Sequence, residues 1–159
     1  MNVQQIMSRD VQCCEPEHAL DCAAKIMWER DVGVVPIVDA EQRVVGIITD
    51  RDICMAAYTQ GKRLFEIKVG EIMSKQITVA RPSDSLTRAE ELMRSAQVRR
   101  IPVVDDAGKL VGLLSQNDLI RESIRGARTA KQEVSADEVA RVLNDIGRPR
   151  RDNASENRA

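Results

Sequence analysis

The chain is almost without aromatic residues, since it contains one Trp, one Tyr and one Phe among 159 residues. A flat ligand would therefore be held by Val, Ile, Leu and Pro rather than stacked on aromatic rings. There is also a single His, and the sequence contains neither a Gly-rich phosphate loop nor a Ser, His and Asp set typical of nucleophilic catalysis. These absences predict a protein that is not an enzyme and has no catalytic residues.

The formal net charge is -1, so no overall field attracts the protein to nucleic acid or to an anionic membrane. No apolar run approaches the roughly 20 residues of a membrane-spanning helix. The N-terminus lacks a basic region followed by an apolar stretch, so we expect no signal peptide. Four cysteines without such a signal predict reduced thiols. We therefore expect a cytoplasmic protein that binds neither nucleic acid nor membranes.

The most informative feature of the sequence is a repeat with a period of 66 residues. Three segments of the first copy return in the second: 3–8 as 69–74, 35–39 as 101–105, and 45–49 as 111–115. The two copies align without a gap from Val3 to Arg121. A repeat of this kind indicates one supersecondary unit used twice, and we expect the function to lie where the copies meet.

Each copy is predicted to contain a short strand, a helix, two strands and a second helix. In the first copy these are an extended piece at Val11–Cys13, a helix over Ala19–Arg30, strands at Val34–Asp39 and Arg43–Ile48, and a helix that begins at Thr49. The helix is indicated by apolar residues at i, i+3, i+4 and i+7, and the strands by apolar runs on either side of a short turn. The predicted fold class is therefore α/β, more narrowly α+β, with two βαββα repeats.

Beyond Arg125 the repeat ends. A capping box at Ser135–Glu138, followed by periodic apolar residues, predicts a short amphipathic helix over 135–146. The polar residues 148–159 are predicted to be disordered. We accordingly divide the chain into a first repeat (3–60), a second repeat (69–125) and a C-terminal helix with its tail (126–159).

One motif occurs at the same place in both copies, where a strand runs into a helix. Gly, two apolar residues and a hydroxyl residue are followed three positions later by Asp; the hydroxyl and carboxyl residues are Thr49 and Asp52, then Ser115 and Asp118. A helix N-terminus favours anions, and a carboxylate accepts hydrogen bonds from a diol such as ribose. The alternative is that these side chains only cap their own helices. Two occurrences at identical spacing favour a ligand site.

The Pro-containing strand, the turn and this motif together resemble the CBS motif, and two copies resemble a tandem CBS pair, or Bateman module, of the bacterial stand-alone type. The resemblance implies two βαββα units around a pseudo-twofold axis with two clefts between them. It also implies ligands that contain adenine: AMP, ADP or ATP, with S-adenosylmethionine or NAD as alternatives. No obligatory cofactor is implied.

Carried over residue by residue, the resemblance gives two unequal clefts. The first joins Thr49 and Asp52 to Arg99, Arg100 and Pro102, and the second joins Ser115 and Asp118 to Gly33, Val34 and Pro36. The planar fork of Arg suits phosphate, so the first cleft is predicted to bind the charged group. Strand alternation puts the two arginines on opposite faces, so one is expected to reach a single phosphate. The alternative for the pair is an exposed strand end neutralised by nearby acids.

A second group of residues raises the question of a metal. Cys13, Cys14, His18 and Cys22 lie within ten residues, and soft sulfur and nitrogen ligands bind zinc or copper(I). However, the spacing contains no CxxC, Cys13 aligns with Val79 as a core residue, and His18 aligns with Asp84 at the start of a helix. We therefore expect no metal site.

The function predicted from these features is that of a regulatory module. It would bind an adenine nucleotide between the repeats and relay the bound state to an unidentified protein. The resemblance also implies a homodimer formed through the helices. The alternative is a ligand-independent dimerisation or adaptor protein.

Overall fold

The computed structural model describes residues 1–129 together with Ala140, Arg141 and Leu143. Within these residues the helices are α1 (Leu20–Arg30), α2 (Asp50–Gln60), α3 (Val69–Ile72), α4 (Leu86–Ala96) and α5 (Gln116–Thr129). The strands are β1 (Val34–Val38), β2 (Val44–Thr49), β3 (Arg100–Val104) and β4 (Leu110–Ser115). Short 3-10 turns cover Val3–Gln5 and Leu64–Glu66.

The predicted elements are found, with one difference. The extended piece predicted at Val11–Cys13 is not a strand; instead Cys14 makes a single parallel bridge to Ile37 of β1. The chain cannot extend this bridge far, because Pro16 lacks an N–H to donate. The helix predicted over 135–146 lies outside the described residues except for Ala140, Arg141 and Leu143, which are helical. The predicted disorder at 148–159 falls entirely outside them.

Each repeat contributes one antiparallel hairpin. In the first, β1 pairs with β2 so that Val34 is opposite Thr49; in the second, β3 pairs with β4 so that Arg100 is opposite Ser115. Both hairpins have a register shift at the same place, next to the turn. Because the registers are equivalent, the residue two positions before each strand's Pro lies opposite the hydroxyl residue that precedes the following helix.

The segment that begins each repeat packs on the other repeat. Val3 is fully buried in the core of the second repeat, and Val69 is fully buried in the core of the first. Backbone hydrogen bonds hold these exchanged segments in place. The Ser8 N–H donates to the Leu113 carbonyl at 3.0 Å, and the Ile47 N–H donates to the Ser74 carbonyl at 3.0 Å. Each core is therefore completed by a segment from outside its own repeat.

The two hairpins also meet directly at their turns. The Val44 N–H donates to the carbonyl of Gly108 at 3.1 Å, and the Leu110 N–H donates to the carbonyl of Gln42 at 3.0 Å. These two bonds exchange when the numbering is shifted by one repeat. Reciprocal contacts of this kind are what a pseudo-twofold axis between the repeats requires, and they confirm the predicted α+β arrangement.

Two glycines allow the exchanged segments to lie flat on the hairpins. A Cβ on Gly112 would lie 2.6 Å from Sδ of Met7 and 2.9 Å from the Ser8 carbonyl oxygen. On Gly46, a Cβ would lie 2.5 Å from Sδ of Met73, but 3.2 Å from the nearest backbone oxygen. A methionine side chain moves more easily than a carbonyl oxygen held in a backbone hydrogen bond.

We therefore expect Gly112→Ala to lower the free energy of unfolding by about 1–3 kcal/mol, the range for overpacked sites. Gly46→Ala should cost less, because the nearest fixed atom is farther away. Urea unfolding of both variants beside the parent chain measures the difference. If Gly46→Ala is the more damaging of the two, the backbone carbonyl is not the atom that resists the new methyl group.

Candidate functional site

A cavity of about 360 Å³ lies where β3 and β4 end and α5 begins. It is lined by Arg99, Arg100, Ser115, Gln116, Asn117 and Leu143. Its volume falls within the roughly 300–1,000 Å³ of small-molecule sites. The N–H groups in the first turn of α5, which have no acceptor within the helix, lie at this end, where the helix dipole favours negative charge.

Both predicted arginines line this cavity. The expectation that strand alternation would separate them is wrong, because β3 begins at Arg100 and Arg99 lies outside the strand. The Arg99 carbonyl instead accepts a hydrogen bond from the Gln116 N–H at 2.9 Å, which ties this residue to the start of α5. Among the described residues, no carboxylate lies within 4.0 Å of either guanidinium. Two positive charges therefore face one cavity without a partner in the described part of the chain.

The cavity also contains an unsatisfied donor. Gln116 is 7 % exposed, and its Nε2 has no hydrogen-bond partner among the described residues. A buried amide without a partner costs about 1–3 kcal/mol. Such a group at a cavity wall is suited to binding an acceptor on a ligand.

The Arg100 side chain reaches the first repeat. A Cβ placed on Gly33 would lie 3.8 Å from Nη1 of Arg100 and 3.0 Å from Oδ2 of Asp50. The Asp50 N–H in turn donates to the Gly33 carbonyl at 3.3 Å. One guanidinium, one carboxylate and a bare backbone thus come together between the two repeats, and glycine leaves the space that a side chain would fill.

The Thr49–Asp52 and Ser115–Asp118 pairs have the same geometry in both repeats. Oδ2 of Asp52 accepts from the Thr49 N–H at 2.8 Å and from its hydroxyl at 2.7 Å. Oδ2 of Asp118 accepts from the Ser115 N–H at 2.8 Å and from its hydroxyl at 2.6 Å. Both carboxylates therefore cap the N-terminus of the helix in which they lie, and one oxygen of each is engaged in doing so.

The other oxygen differs between the two pairs. Oδ1 of Asp118 lies 3.7 Å from Nη1 of Arg121. Oδ1 of Asp52 has no hydrogen-bond or ion-pair partner among the described residues. Asp52 is partly exposed, so this oxygen can still accept a hydrogen bond.

The remaining predicted site residues are part of the hairpins. Val34, Pro36 and Pro102 are buried, which limits what they can offer to a ligand to apolar contact. In the structure the two arginines line the same cavity as Ser115, which lies opposite Arg100 in the sheet, whereas the family resemblance grouped them with Thr49 and Asp52. Thr49 and Asp52 do not line the 360 Å³ cavity.

Sequence reasoning missed Gln116 and Asn117 as cavity residues. They occupy the two variable positions between the hydroxyl residue and the carboxylate of the second motif copy, and nothing in the spacing singles them out. Their position in the first turn of a helix was the available signal, since a helix N-terminus presents its first side chains and N–H groups to the same space.

Three soft side chains lie close together elsewhere, in the first repeat. Cys14 Sγ is 3.5 Å from Cys22 Sγ, and Cys22 Sγ is 3.9 Å from Nδ1 of His18. The buried cysteine is Cys14, which is 1 % exposed, whereas the sequence analysis assigned the core role to its half-buried neighbour Cys13. Burial, together with the hydrogen bond to Cys22, raises the pKa of the Cys14 thiol to about 12.

In the described part of the chain, no helix combines the length and the apolar character needed to cross a bilayer.

The CBS domain family matches this chain twice, at residues 3–58 and 69–125. The CBS domain-containing protein YhcV of Bacillus subtilis is 37 % identical over 119 residues, which are 74 % of this chain and 82 % of YhcV.

Solved structures with the same fold include proteins with bound ligands. Hypoxic Response Protein I with two coordinated zinc ions has a TM-score of 0.69 and 30 % identity, covering 76 % of this chain and 98 % of that one. CBSX2 in complex with AMP has a TM-score of 0.70 and 28 % identity, covering 80 % and 98 %. The CBS domain pair of MJ0100 with 5-methylthioadenosine and S-adenosyl-L-methionine has a TM-score of 0.68 and 29 % identity, covering 80 % and 98 %. From the two matched segments and these relatives, the chain belongs to the CBS domain family and carries two CBS domains in tandem.

Proposed function

We propose that this protein is a regulatory module, not an enzyme, that binds AMP, ADP or ATP in the cytoplasm and relays the bound state to a partner protein. The observation that carries the proposal is the cavity at the start of α5. There Arg99 and Arg100 face one space together with the unsatisfied amide of Gln116. The solved CBS pairs with AMP and with S-adenosyl-L-methionine support an adenosine ligand.

Each part of a nucleotide has a matching group among the predicted site residues, of which Arg99, Arg100 and Ser115 line the cavity. The guanidinium groups and the N-terminal end of α5 suit the phosphates. A carboxylate oxygen suits the ribose hydroxyls. In Asp52, Oδ2 accepts the capping hydrogen bonds, so Oδ1 is the oxygen that could accept from the ribose. The aliphatic strand residues, among them Val34 and Pro102, suit the faces of adenine in a chain with little aromatic surface.

The position of Arg100 gives a way in which a bound ligand would affect both repeats. Its guanidinium belongs to the second repeat and lies near Gly33 of the first. An anion held by Arg100 would therefore favour one arrangement of the repeats over another. A ligand shifts such an equilibrium only by the difference between its affinities for the two states.

We test the proposal by thermal unfolding of the reduced chain with AMP, ADP, ATP, S-adenosylmethionine and NAD. A ligand at 100 times its dissociation constant stabilises the native state by about 2.7 kcal/mol. We expect at least one adenine nucleotide to raise the Tm, and Arg100→Ala to reduce the shift. The matched control is Arg94→Ala, since Arg94 is an exposed arginine on α4, outside the cavity. Equal shifts in both variants would place the ligand elsewhere.

A second candidate function is a ligand-independent dimerisation or adaptor protein. It is favoured by two exposed aromatic side chains, Trp28 of α1 at 88 % and Tyr58 of α2 at 82 % exposure. Aromatic residues on a surface are enriched at protein interfaces. In either function we expect a homodimer formed through α1 and α2. A folded dimer that shows no Tm shift with any of the five ligands would favour the adaptor.

A further inference from the structure

The cluster of Cys14, His18 and Cys22 lies outside the nucleotide cavity and has no role in the proposed function. Its Sγ, Nδ1 and Sγ atoms all lie within 4.8 Å of one another. The residues come from two elements: Cys14 bridges to β1, Cys22 lies in the first turn of α1, and His18 lies in the connection between them. Nothing in the sequence spacing brings them together, since they are not arranged as CxxC.

The separations match those of ligands around one ion. Zinc bonds sulfur at about 2.3 Å and nitrogen at about 2.0–2.1 Å, and a tetrahedral angle between such bonds separates two sulfurs by about 3.8 Å and sulfur from nitrogen by about 3.6 Å. The observed separations are 3.5 Å for Cys14 and Cys22, and 3.9 Å for Cys22 and His18. All three ligand atoms lie within 4.8 Å of one another, so small rotations of the cysteine and histidine side chains would complete the tetrahedral geometry.

The backbone already holds the three positions in place. The Cys14 N–H donates to the Pro36 carbonyl at 3.2 Å, and its carbonyl accepts from the Val38 N–H at 2.9 Å. The His18 carbonyl accepts from the Val69 N–H at 2.8 Å. The loop that carries the histidine is thus fixed from both sides, by β1 of its own repeat and by α3.

The second repeat is an internal control on what the fold itself needs. Its equivalent positions are Ala80, Asp84 and Arg88. Ala80 makes the same parallel bridge as Cys14, and Asp84 closes the same turn by accepting from the Arg81 N–H at 2.8 Å. The fold therefore forms without any of the three soft ligands, although all three are present in the first repeat and converge there.

We propose that Cys14, His18 and Cys22 form a zinc site, with two thiolates, one imidazole nitrogen and a fourth position for water. Two sulfurs and a nitrogen favour zinc over magnesium or calcium, which prefer oxygen ligands. His18 Nδ1 accepts a hydrogen bond from the Glu15 N–H at 3.2 Å, and the lone pair that accepts this bond is the one that would bind the ion. Binding would release the two thiol protons to solvent and replace that amide by the ion. Glu15 is an exposed residue, so its N–H could then bond to water.

The bound ion would join the connection at His18 to the strand layer and to the first turn of α1. Because the same connection bonds to Val69, the ion would also strengthen the junction with the second repeat's leading segment. Cation binding and nucleotide binding would then act at different places on the pair, since none of the three ligands lines the cavity of Arg99 and Arg100.

The test uses cobalt(II) as a spectroscopic probe of the full chain, reduced and kept without oxygen, followed by displacement with zinc. A thiol count before titration establishes that the cysteines are reduced. We expect one cobalt ion per chain, with a thiolate charge-transfer band and the strong d–d bands of tetrahedral coordination. Added zinc should remove these bands and raise the Tm of the colourless protein.

Variants of the exposed and half-buried ligands keep the test free of folding defects. Cys22→Ser should remove about half of the charge-transfer intensity, and both Cys22→Ser and His18→Ala should weaken zinc binding at least about tenfold, since even groups that only support a ligand cost 10–100-fold when mutated. Cys13→Ser and Cys54→Ser are the matched controls and should bind as the parent does. Each variant's circular dichroism spectrum is compared with that of the parent.

Three results would overturn the zinc site. The reduced parent chain shows no cobalt bands; or Cys22→Ser, folded as the parent is, binds with unchanged affinity and intensity; or Cys13→Ser abolishes binding, which would assign a different ligand set. None of these results bears on the Tm shift with nucleotides, so the two proposals fail separately.

Discussion

Val3→Asp is expected to lower the free energy of unfolding by about 3–5 kcal/mol, because it places an unpaired charge in an apolar core. Val3 is fully buried among residues of the second repeat. Gln4→Asp, which puts the same carboxylate one residue away on an exposed position, is the control and should stay within about 0.5 kcal/mol of the parent. Urea unfolding measures both.

The location of the damage is the more specific part of this prediction. Although Val3 belongs to the first repeat, hydrogen exchange should become faster in β3 and β4 of the second repeat before it does so in β1 and β2. Local openings of this kind are resolved by exchange because they have smaller free energies than global unfolding. Loss of protection in β1 and β2 alone would contradict the exchange of leading segments.

The second large effect concerns the charge of the ligand. Replacing both arginines in the double variant Arg99→Ala/Arg100→Ala is expected to weaken AMP binding by more than about 100-fold, since each hydrogen bond to a charged group contributes about 1.5–3 kcal/mol and 1.4 kcal/mol is one factor of ten. Adenosine has no phosphate, so its affinity should change little. Isothermal titration with both compounds separates the two contributions.

Conservative replacement sharpens this experiment. Arg100→Lys keeps the positive charge but loses the planar fork that binds two phosphate oxygens. We expect it to bind AMP with an affinity between those of the parent and the double variant. If the double variant loses AMP and adenosine to the same extent, the arginines support the fold of the cavity rather than the phosphate.

Most of the fold could be predicted from the sequence because the signals are local. The helix over 20–30, the two hairpins and the cap at Thr49 follow from periodicity and capping chemistry, which act over a few residues. The tandem CBS assignment from the motif is confirmed by the two family matches. The repeat also supported the prediction of helices and strands, because the same pattern occurs in two separate stretches of the sequence.

The exchange of leading segments could not be predicted in this way. Val3 and Val69 occupy equivalent positions, so packing on their own repeat and packing on the other one give the same sequence pattern. The glycines of the two motifs show the same limit: Gly46 is explained by Met73, and Gly112 by Met7, through contacts between segments that are far apart in the chain. Periodicity shows that a side chain is buried, not which core buries it.

The candidate site was predicted in part for a related reason. The arginines and the hydroxyl and carboxyl residues were found because they lie at fixed places in a motif. Which of them share a cavity depends on where β3 begins and on the register that sets Arg100 opposite Ser115. The same limit applies to Cys13 and Cys14. Cys14 is buried and bridges to β1, whereas Cys13 is half-buried, and a shift of the chain by one residue would reverse these roles.

The exchange of leading segments gives the chain the architecture of a domain-swapped dimer whose two subunits have been fused end to end. A gene encoding only residues 1–60 would leave Val3 without its core and would lack the valine that fills the other one. Two such half-length products would restore both contacts only by exchanging their first eight residues with each other. The linker of residues 61–68 thus replaces an association between two molecules by one within a single chain, where the effective concentration of the second half no longer depends on how much protein the cell makes.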